Sequence, residues 1–489
     1  MSANQKVIYS NTAIAEVEND IQKNIVQIKS DTNERRAGKS YQKVLLGLLQ
    51  QIKPVDFRKR AGIEDGDKIS RKLYVVISID EIVNISIANS WGLCTKNGFI
   101  YVFNSKYWQA VNADDDFKPF LADAAIKMGV PELEAKYHQF KDELYKQFLS
   151  ASNLSIPETG GNILINLING TYEISENSQT LRPPQREDFI KYQLPFEYDK
   201  NAKCPKFDKY IVRVLPDKDC RDVLSEYIGS IFAPKIKLEK SAILYGSGAN
   251  GKSVLFEVVN AILGNENVCS YSLQNLTKYD SYQRAELSNK LLNYASEING
   301  KLEASIFKQL ASGEPVEARQ IYGKPFIMRD YGKLMFNCNE LPREVEQTDA
   351  FFRRFIIIPF NQTIPDEEQD FELSKKIIAS ELSGVFNWIL DGLRRILVQR
   401  KFTRSDLVRE QIDNFRLESD SVALFIDDAG YSTTFENYIP LKEMYAEYKG
   451  FCYDNGYKAC ALRTVSARLK SLKYESERKN TGYVIYAKK

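Results

Sequence analysis

Residues 241–264 read SAILYGSGANGKSVLFEVVNAILG, and within them Gly246-Ser247-Gly248-Ala249-Asn250-Gly251-Lys252-Ser253 has the spacing G-x-x-x-x-G-K-[ST]. Glycines at these places let the backbone curl until successive N–H groups point at phosphate oxygens, and the following helix adds its positive N-terminal end. Lys252 has the reach for the β- and γ-phosphates, and the Ser253 hydroxyl suits Mg²⁺. ATP and Mg²⁺ are therefore the expected cofactors, held by residues 246–253. The alternative is a glycine-rich turn that happens to contain a lysine. The apolar strand before the loop and the helix stopped by Gly264 favour the phosphate site.

A phosphate loop does not hydrolyse by itself, so a carboxylate is needed at the end of a second core strand. The run LLNYASEI supplies Glu297, placed to polarise the attacking water and to help position Mg²⁺ with Ser253. A third strand, GKLMFNCNELP, ends at Asn339, whose amide suits the γ-phosphate or the water; an ordinary turn-forming Asn is the alternative. In AFFRRFIIIPF, Arg353 and Arg354 precede an apolar strand. One of them is expected to aim positive charge at a neighbouring subunit's transition state, and the competing reading is a local ion pair with a carboxylate such as Asp349. Sequence does not choose between the two arginines.

The chain that must position these groups has 489 residues, room for three or four cores. Its 43% hydrophobic and 27% charged composition excludes wholesale disorder. No apolar run is long enough to span a bilayer and the first residues lack a signal-peptide core, so a soluble cytoplasmic protein without a membrane partner is expected. With 67 basic and 65 acidic residues the net charge of +2 predicts no polyanion partner, and only local charge can argue for one. Seven cysteines without a CxxC pair and one histidine, His138, exclude a disulfide framework and an ordinary zinc site.

Helical spacing at Ile14, Val17, Ile21, Ile25 and Ile28, and again at Val44, Leu45, Leu48, Leu49 and Ile52, predicts two opening helices. The run Leu73 to Ile87 and the segment GFIYVF after Lys96-Asn97-Gly98 read as strands, the second entered by an Asn-Gly hairpin turn. A further helix is expected from Leu133 to Phe148. Asp114-Asp115-Asp116 reads as a solvated loop rather than a metal cluster. Seven of the 16 prolines fall between Pro157 and Pro234, marking a loop-rich connector, after which short strands alternate with helices as in a parallel sheet.

Between Glu297 and Asn339, β-prone runs flank Tyr322-Gly323-Lys324 and predict a hairpin with that tip. The last segment combines the helices PLKEMYAEYKGFCYDNG and RTVSARLKSL with a hairpin, YESERKNTGYVIYA, the order of a winged helix. From Leu462 to Lys489 eight basic residues oppose two acidic ones, and Arg463, Arg468, Lys470 and Lys473 lie on or beside the second helix, suiting it to DNA phosphates. Protein contact is the other use of such a unit.

The succession GSGANGKS, YASEI, FKQLASGEPVEARQIYGKPF, MFNCNELP and FFRRFIIIPF resembles the superfamily III helicases of phage and plasmid replication, a branch of the AAA+ ATPases. It is most similar to the replication-initiator helicases of staphylococcal pathogenicity islands, over roughly residues 155–489. The resemblance implies a homo-hexameric ring moving 3′ to 5′ on single-stranded DNA with ATP between subunits. It implies that Glu297 is the Walker B acid, Asn339 sensor 1, and Arg353 or Arg354 the finger. It also implies that the hairpin points into the ring channel, where Lys324 holds a phosphate, with Arg319 and Lys333 as lesser contacts. Lys308 suits either nucleotide or DNA sensing. Ser296 stands where many members have a second Walker B acid, which would put more of the metal binding on Ser253.

The expected fold is α/β: an N-terminal α+β domain without an evident catalytic site (1–152), a collar (153–234), an AAA+ ATPase core with a parallel sheet (235–400) and a C-terminal winged helix (410–489). The expected function is an ATP-dependent replicative DNA helicase of a mobile element, acting on single-stranded and forked DNA and on origin duplex at initiation. The alternatives are an initiator ATPase that melts an origin without processive unwinding, and a remodeller of protein. Residues 1–150 offer no carboxylate set or zinc ribbon for primer synthesis, so no primase activity is expected.

Overall fold

The computed structural model describes residues 40–64, 67–96, 99–151, 161–175, 178–296, 298, 302–320, 325–342, 345–480 and 482–489. Two compact units emerge, one from Met1–Asn162 with Arg182–Gln193, the other from Ile163–Leu181 with Leu194–Lys489. The first expected helix, around Ile14 to Ile28, lies outside the described residues; the second is present as Ser40–Gln51.

In the first unit the run Leu73–Ile87 is not a strand but the interior of an 18-residue helix, Arg71–Ala88. Ser70 caps it by accepting from the Leu73 N–H. Its β-branched residues favour a strand locally, yet Val75, Ser78, Ile79, Ile82 and Ser86 are buried at helical spacing, and tertiary packing decides. A run of 15 residues is also too long for an average strand. The expected strand in GFIYVF is present as Phe99–Phe103; it pairs antiparallel with Leu93–Lys96, a strand not expected from the sequence, and with Trp108–Val111, while Asn97 and Gly98 lie outside the described residues. Helices Glu132–Lys136 and His138–Ala151 fill the stretch from Leu133 to Phe148. The aspartates form a helical turn capped by Asn112, in which Asp116 accepts from Tyr41 and Gln42 and Asp114 pairs with Lys118 at 2.6 Å.

The second unit is built on a five-stranded sheet, all parallel: β1 (Ser241–Tyr245), β2 (Val268–Cys269), β3 (Leu292–Ala295), β4 (Lys333–Cys338) and β5 (Phe355–Pro359). The spatial order is β5-β1-β4-β3-β2. Continuous apolar runs such as Ala242–Leu244 and Ile356–Ile358 are buried on both faces, as a covered parallel sheet requires. Helix α1 (Lys252–Leu263) follows β1 and buries Leu255, Val258, Val259 and Ile262. Helices α2 (Ala304–Ser312), α3 (Asp349–Phe352) and α4 (Leu382–Gln399) complete this core. Helix α4 crosses the helix Lys218–Gly229 so closely that a Cβ on Gly392 would stand 2.4 Å from the Ser225 carbonyl oxygen. Beside that crossing, fully buried Glu226 accepts from Arg395 at 2.9 Å and from the Thr403 N–H and hydroxyl at 2.7 and 2.6 Å.

Beyond α5 (Asp406–Glu418) the chain forms α6 (Ser421–Asp428), α7 (Leu441–Asp454) and α8 (Leu462–Ser471) around a common core with Met444, Tyr448, Val465 and Leu469. The expected C-terminal hairpin is Ser476–Lys479 paired with Gly482–Ile485, and a short strand at Ile439–Pro440 joins it. Neither α6 nor that strand was expected from the sequence. All seven cysteines are free thiols, and among the described residues no helix is long and apolar enough to cross a membrane.

Candidate functional site: a phosphate-type loop and an arginine turn

Parallel pairing brings Tyr245, Cys338 and Pro359 level with one another at the C-terminal edge of the sheet. The residues that follow them, Gly246, Asn339 and Phe360, therefore leave the sheet side by side. The Gly246 N–H donates to the Cys338 carbonyl at 3.1 Å and the Phe360 N–H to that of Tyr245 at 2.7 Å. Gly246 has no room for a side chain, since a Cβ would lie 2.2 Å from Asn250 Nδ2 and 2.4 Å from the Phe360 oxygen. Gly248 and Gly251 take positive φ values of 113° and 81°, which L-residues with side chains rarely adopt. The glycine spacing is thus a backbone requirement.

Lys252 is 7% exposed, and its ammonium donates to the Gly246 carbonyl at 2.6 Å and to Asn250 Oδ1 at 2.9 Å. Asn250 is held in turn by its Nδ2, which donates to the Phe360 carbonyl at 2.9 Å. Burial pushes the Lys252 ammonium below its ordinary pKa, and Cys338 nearby offsets part of this. Among the described residues no carboxylate pairs with it, so neutral acceptors alone hold a buried cation at the start of a helix. That arrangement favours an anion. Ser253 is exposed on the first turn of α1, as is Ser247 in the loop, while Ala249 accepts from the Ile364 N–H at 2.8 Å. The connector braces the loop from outside: Tyr210, on the helix Pro205–Val214, donates to the Gly251 carbonyl at 2.8 Å. Neither Asn250's side-chain role nor Tyr210 was expected, and for Tyr210 no local signal in the sequence exists.

Of the remaining expected site residues, Glu297 lies outside the described residues, two positions beyond the end of β3. Asn339 is exposed at the edge of the sheet, next to Gly246 in the strand register. Buried Tyr294 on β3 donates to Asn337 Oδ1 on β4 at 2.9 Å and ties together the strands that carry these two positions.

The two arginines differ in environment. Arg354 has 9% side-chain exposure and is held within its own chain: its Nε donates to the Lys308 carbonyl at 3.2 Å and the Ser312 hydroxyl at 3.1 Å, and an Nη to the Ala350 carbonyl. Arg353 has 64% side-chain exposure and only a loose pairing, 3.9 Å, with Glu239. Asp349 pairs instead with Arg416 at 2.8 Å. Lys240, its pKa lowered by burial and by Arg353, donates to the Arg353 carbonyl and fixes that turn.

The expected hairpin is present in its stem, Val316–Arg319 pairing with Pro325–Met328, and Arg319 is exposed on it. Lys324 and the tip residues 321–323 lie outside the described residues. Lys333 opens β4 rather than belonging to the hairpin, and burial lowers its pKa to about 8. Lys308 pairs with Glu346 at 3.1 Å. On α8, Arg463 and Lys470 are exposed, as is Lys473 just beyond it, whereas half-buried Arg468 donates to the Gln347 carbonyl at 3.1 Å.

Loop, sheet edge and helix together form a strand-loop-helix site in an α/β unit. Residues 244–354, which span this loop and the arginine turn, match a family of unknown function, DUF5906, and residues 77–216 match a family described as "D5 N terminal like". The chain is 22% identical over 330 residues to "Putative helicase 121R" of Invertebrate iridescent virus 3, covering 59% of this chain and 35% of that protein. It is 24% identical over 210 residues to "Putative helicase L207/L206" of Acanthamoeba polyphaga mimivirus, covering 41% and 22% respectively. The chain thus spans about a third or less of the length of these relatives. Among solved structures it is similar to the apo NrS-1 C terminal region, with 12% identity, a TM-score of 0.38, and coverage of 67% of this chain and 95% of that one.

Proposed function

We propose that the protein is an ATP-driven DNA helicase of the AAA+ superfamily III type, working as a homo-hexamer in replication of a virus, phage or other mobile element. The observation that carries this is Lys252: a buried ammonium without a carboxylate partner among the described residues, at the N-terminus of α1 and the C-terminal edge of a parallel sheet. The donor set fits a nucleoside triphosphate, with Ser253 and Glu297 as the residues for Mg²⁺. Bound metal would neutralise charge developing between the β- and γ-phosphates. Lys252 would hold the terminal phosphate, Glu297 would orient the attacking water and accept its proton, and Asn339 would fix the water from the neighbouring strand end. The strand order β5-β1-β4-β3-β2 and the relatives named as viral helicases support the same assignment.

The position of Arg353 supports an assembly. Arg353 lies before the first residue of β5, whereas the phosphate loop packs against Phe360, just past its last residue. The five residues of β5 span about 17 Å, more than an arginine side chain bridges. Arg353 is therefore suited to a neighbouring subunit's nucleotide, and Arg354 to internal structure. The Lys324 hairpin would track single-stranded DNA moving 3′ to 5′ through the ring, and the C-terminal unit, as a winged helix, would hold duplex DNA through Arg463, Lys470 and Lys473. The test is ATP-dependent strand displacement on a 3′-tailed duplex, with Lys252→Ala as control. Unwinding by the wild type alone is expected; a wild-type protein that hydrolyses ATP without regard to DNA, or stays monomeric with both present, overturns the proposal.

A further inference from the structure

Glu346, Gln347, Thr348 and Asp349, which lead into the Arg353 turn, each have a side-chain partner. Glu346 pairs with Lys308 on α2. Gln347 donates through Nε2 to the Ser419 carbonyl at 2.9 Å and hydroxyl at 2.8 Å, just past α5. Thr348 caps α3 by accepting from the Phe351 N–H at 3.3 Å, and Asp349 pairs with Arg416 of α5. Arg416 also lies over the Phe352 ring, 5.1 Å from its centre, and Phe415 packs edge-on against Phe352 and Phe355. The last tie comes from the C-terminal unit, where the Arg468 guanidinium on α8 donates to the Gln347 carbonyl at 3.1 Å. Helix α3 has only four residues and cannot hold its own orientation. Its placement, and with it that of Arg353, is set by these contacts.

The geometry points to Arg468 as a positioning residue for the Arg353 turn rather than a nucleic-acid contact: through Arg468 the C-terminal unit, together with Arg416 of α5, sets the arginine offered to the next subunit. This rests on the proposed ATPase. The division of labour on α8 is then explicit. Arg463 and Lys470 are exposed and remain for phosphates, while Arg468 faces inward.

The experiment compares the full-length Arg468→Ala, Arg468→Lys and Arg463→Ala proteins. Hydrogen exchange of residues 346–354 is measured without nucleotide or DNA, together with the kcat and KM of ATP hydrolysis and duplex affinity. Arg468→Ala is expected to raise exchange and to lower kcat by about fivefold, roughly the effect of one ordinary hydrogen bond, with KM within about twofold. Arg468→Lys, which keeps a donor, is expected to recover most of both. Arg463→Ala is expected to weaken DNA binding and leave the exchange of residues 346–354 unchanged. Unchanged exchange in Arg468→Ala, or lost DNA affinity at full kcat, overturns the proposal. Should Arg468→Ala unfold α8, Arg416→Ala reads the neighbouring tie by the same exchange, with the same increase expected. If the wild type hydrolyses no ATP, the enzyme assignment fails, while the exchange result still decides whether Arg468 holds the turn.

Discussion

The two ends of β5 are built on opposite plans. At its C-terminal end the loop 246–253 is fixed largely by its own residues: Gly246 has no room for a Cβ, Asn250 donates to the Phe360 carbonyl, and buried Lys252 donates back to the Gly246 carbonyl. At its N-terminal end the turn carrying Arg353 is fixed by side chains from four separate stretches of chain, and its arginine is left exposed. A loop held in this way suits a ligand bound within one chain. An exposed arginine on a braced turn suits a contact that completes only when another molecule is present.

The sharpest way to break this contrast is Arg353→Ala. It is expected to lower ATP turnover in the assembly by about 10³-fold, the lower range for a finger arginine, while shifting stability by less than about 0.5 kcal/mol. Mixing it with Lys252→Ala, which keeps its own arginine, should restore turnover; no recovery at any ratio would count against action between subunits. Next, Gly246→Ala forces Asn250 and the Phe360 carbonyl apart and is expected to weaken nucleotide binding about 100-fold by calorimetry. Arg354→Ala should do the reverse of Arg353→Ala, costing about 2–4 kcal/mol in denaturant unfolding because its buried acceptors lose their donor. An Arg354 variant as stable as the wild type would erase the distinction between the two arginines.

Lys333 allows a subtler test by pH. Its pKa of about 8 lies below the ordinary lysine value, so the folded state disfavours the charge. The unfolded chain binds the extra proton between about pH 8 and 10.5, and stability from this group therefore rises with pH across that window. Lys333→Met should be about 1–3 kcal/mol more stable than wild type at pH 7, with the advantage fading above about pH 10. An advantage constant with pH would place its origin in packing. The smallest effect is expected of Tyr210→Phe, which removes one hydrogen bond to Gly251 and should weaken ATP affinity by about fivefold without loss of fold.

What the sequence made legible follows the same division. The loop 246–253 could be read because its chemistry lies in eight contiguous residues whose glycines have few other uses. The strand-end Asn339 could be placed because β4 is short, apolar and clearly bounded. Arg353 and Arg354 could not be separated, since residue type and neighbours are nearly the same and only burial, a property of the folded chain, distinguishes them. Arg468 reads as one of the DNA-facing set for the same reason: a basic helix in sequence does not reveal that one of its arginines donates to a carbonyl 121 positions away. The Leu73–Ile87 run was read as a strand because β-branched residues dominate it, although its buried positions follow the helical period.

The crossing of α4 with the helix Lys218–Gly229 limits how the molecule can be dissected. A fragment starting at residue 235 would expose the Gly392 face to water and leave Arg395 and Thr403 without the carboxylate that gathers them. The stretch between the prolines is in that sense the other half of a clasp, and cutting the chain there would open the second unit rather than free a part of it.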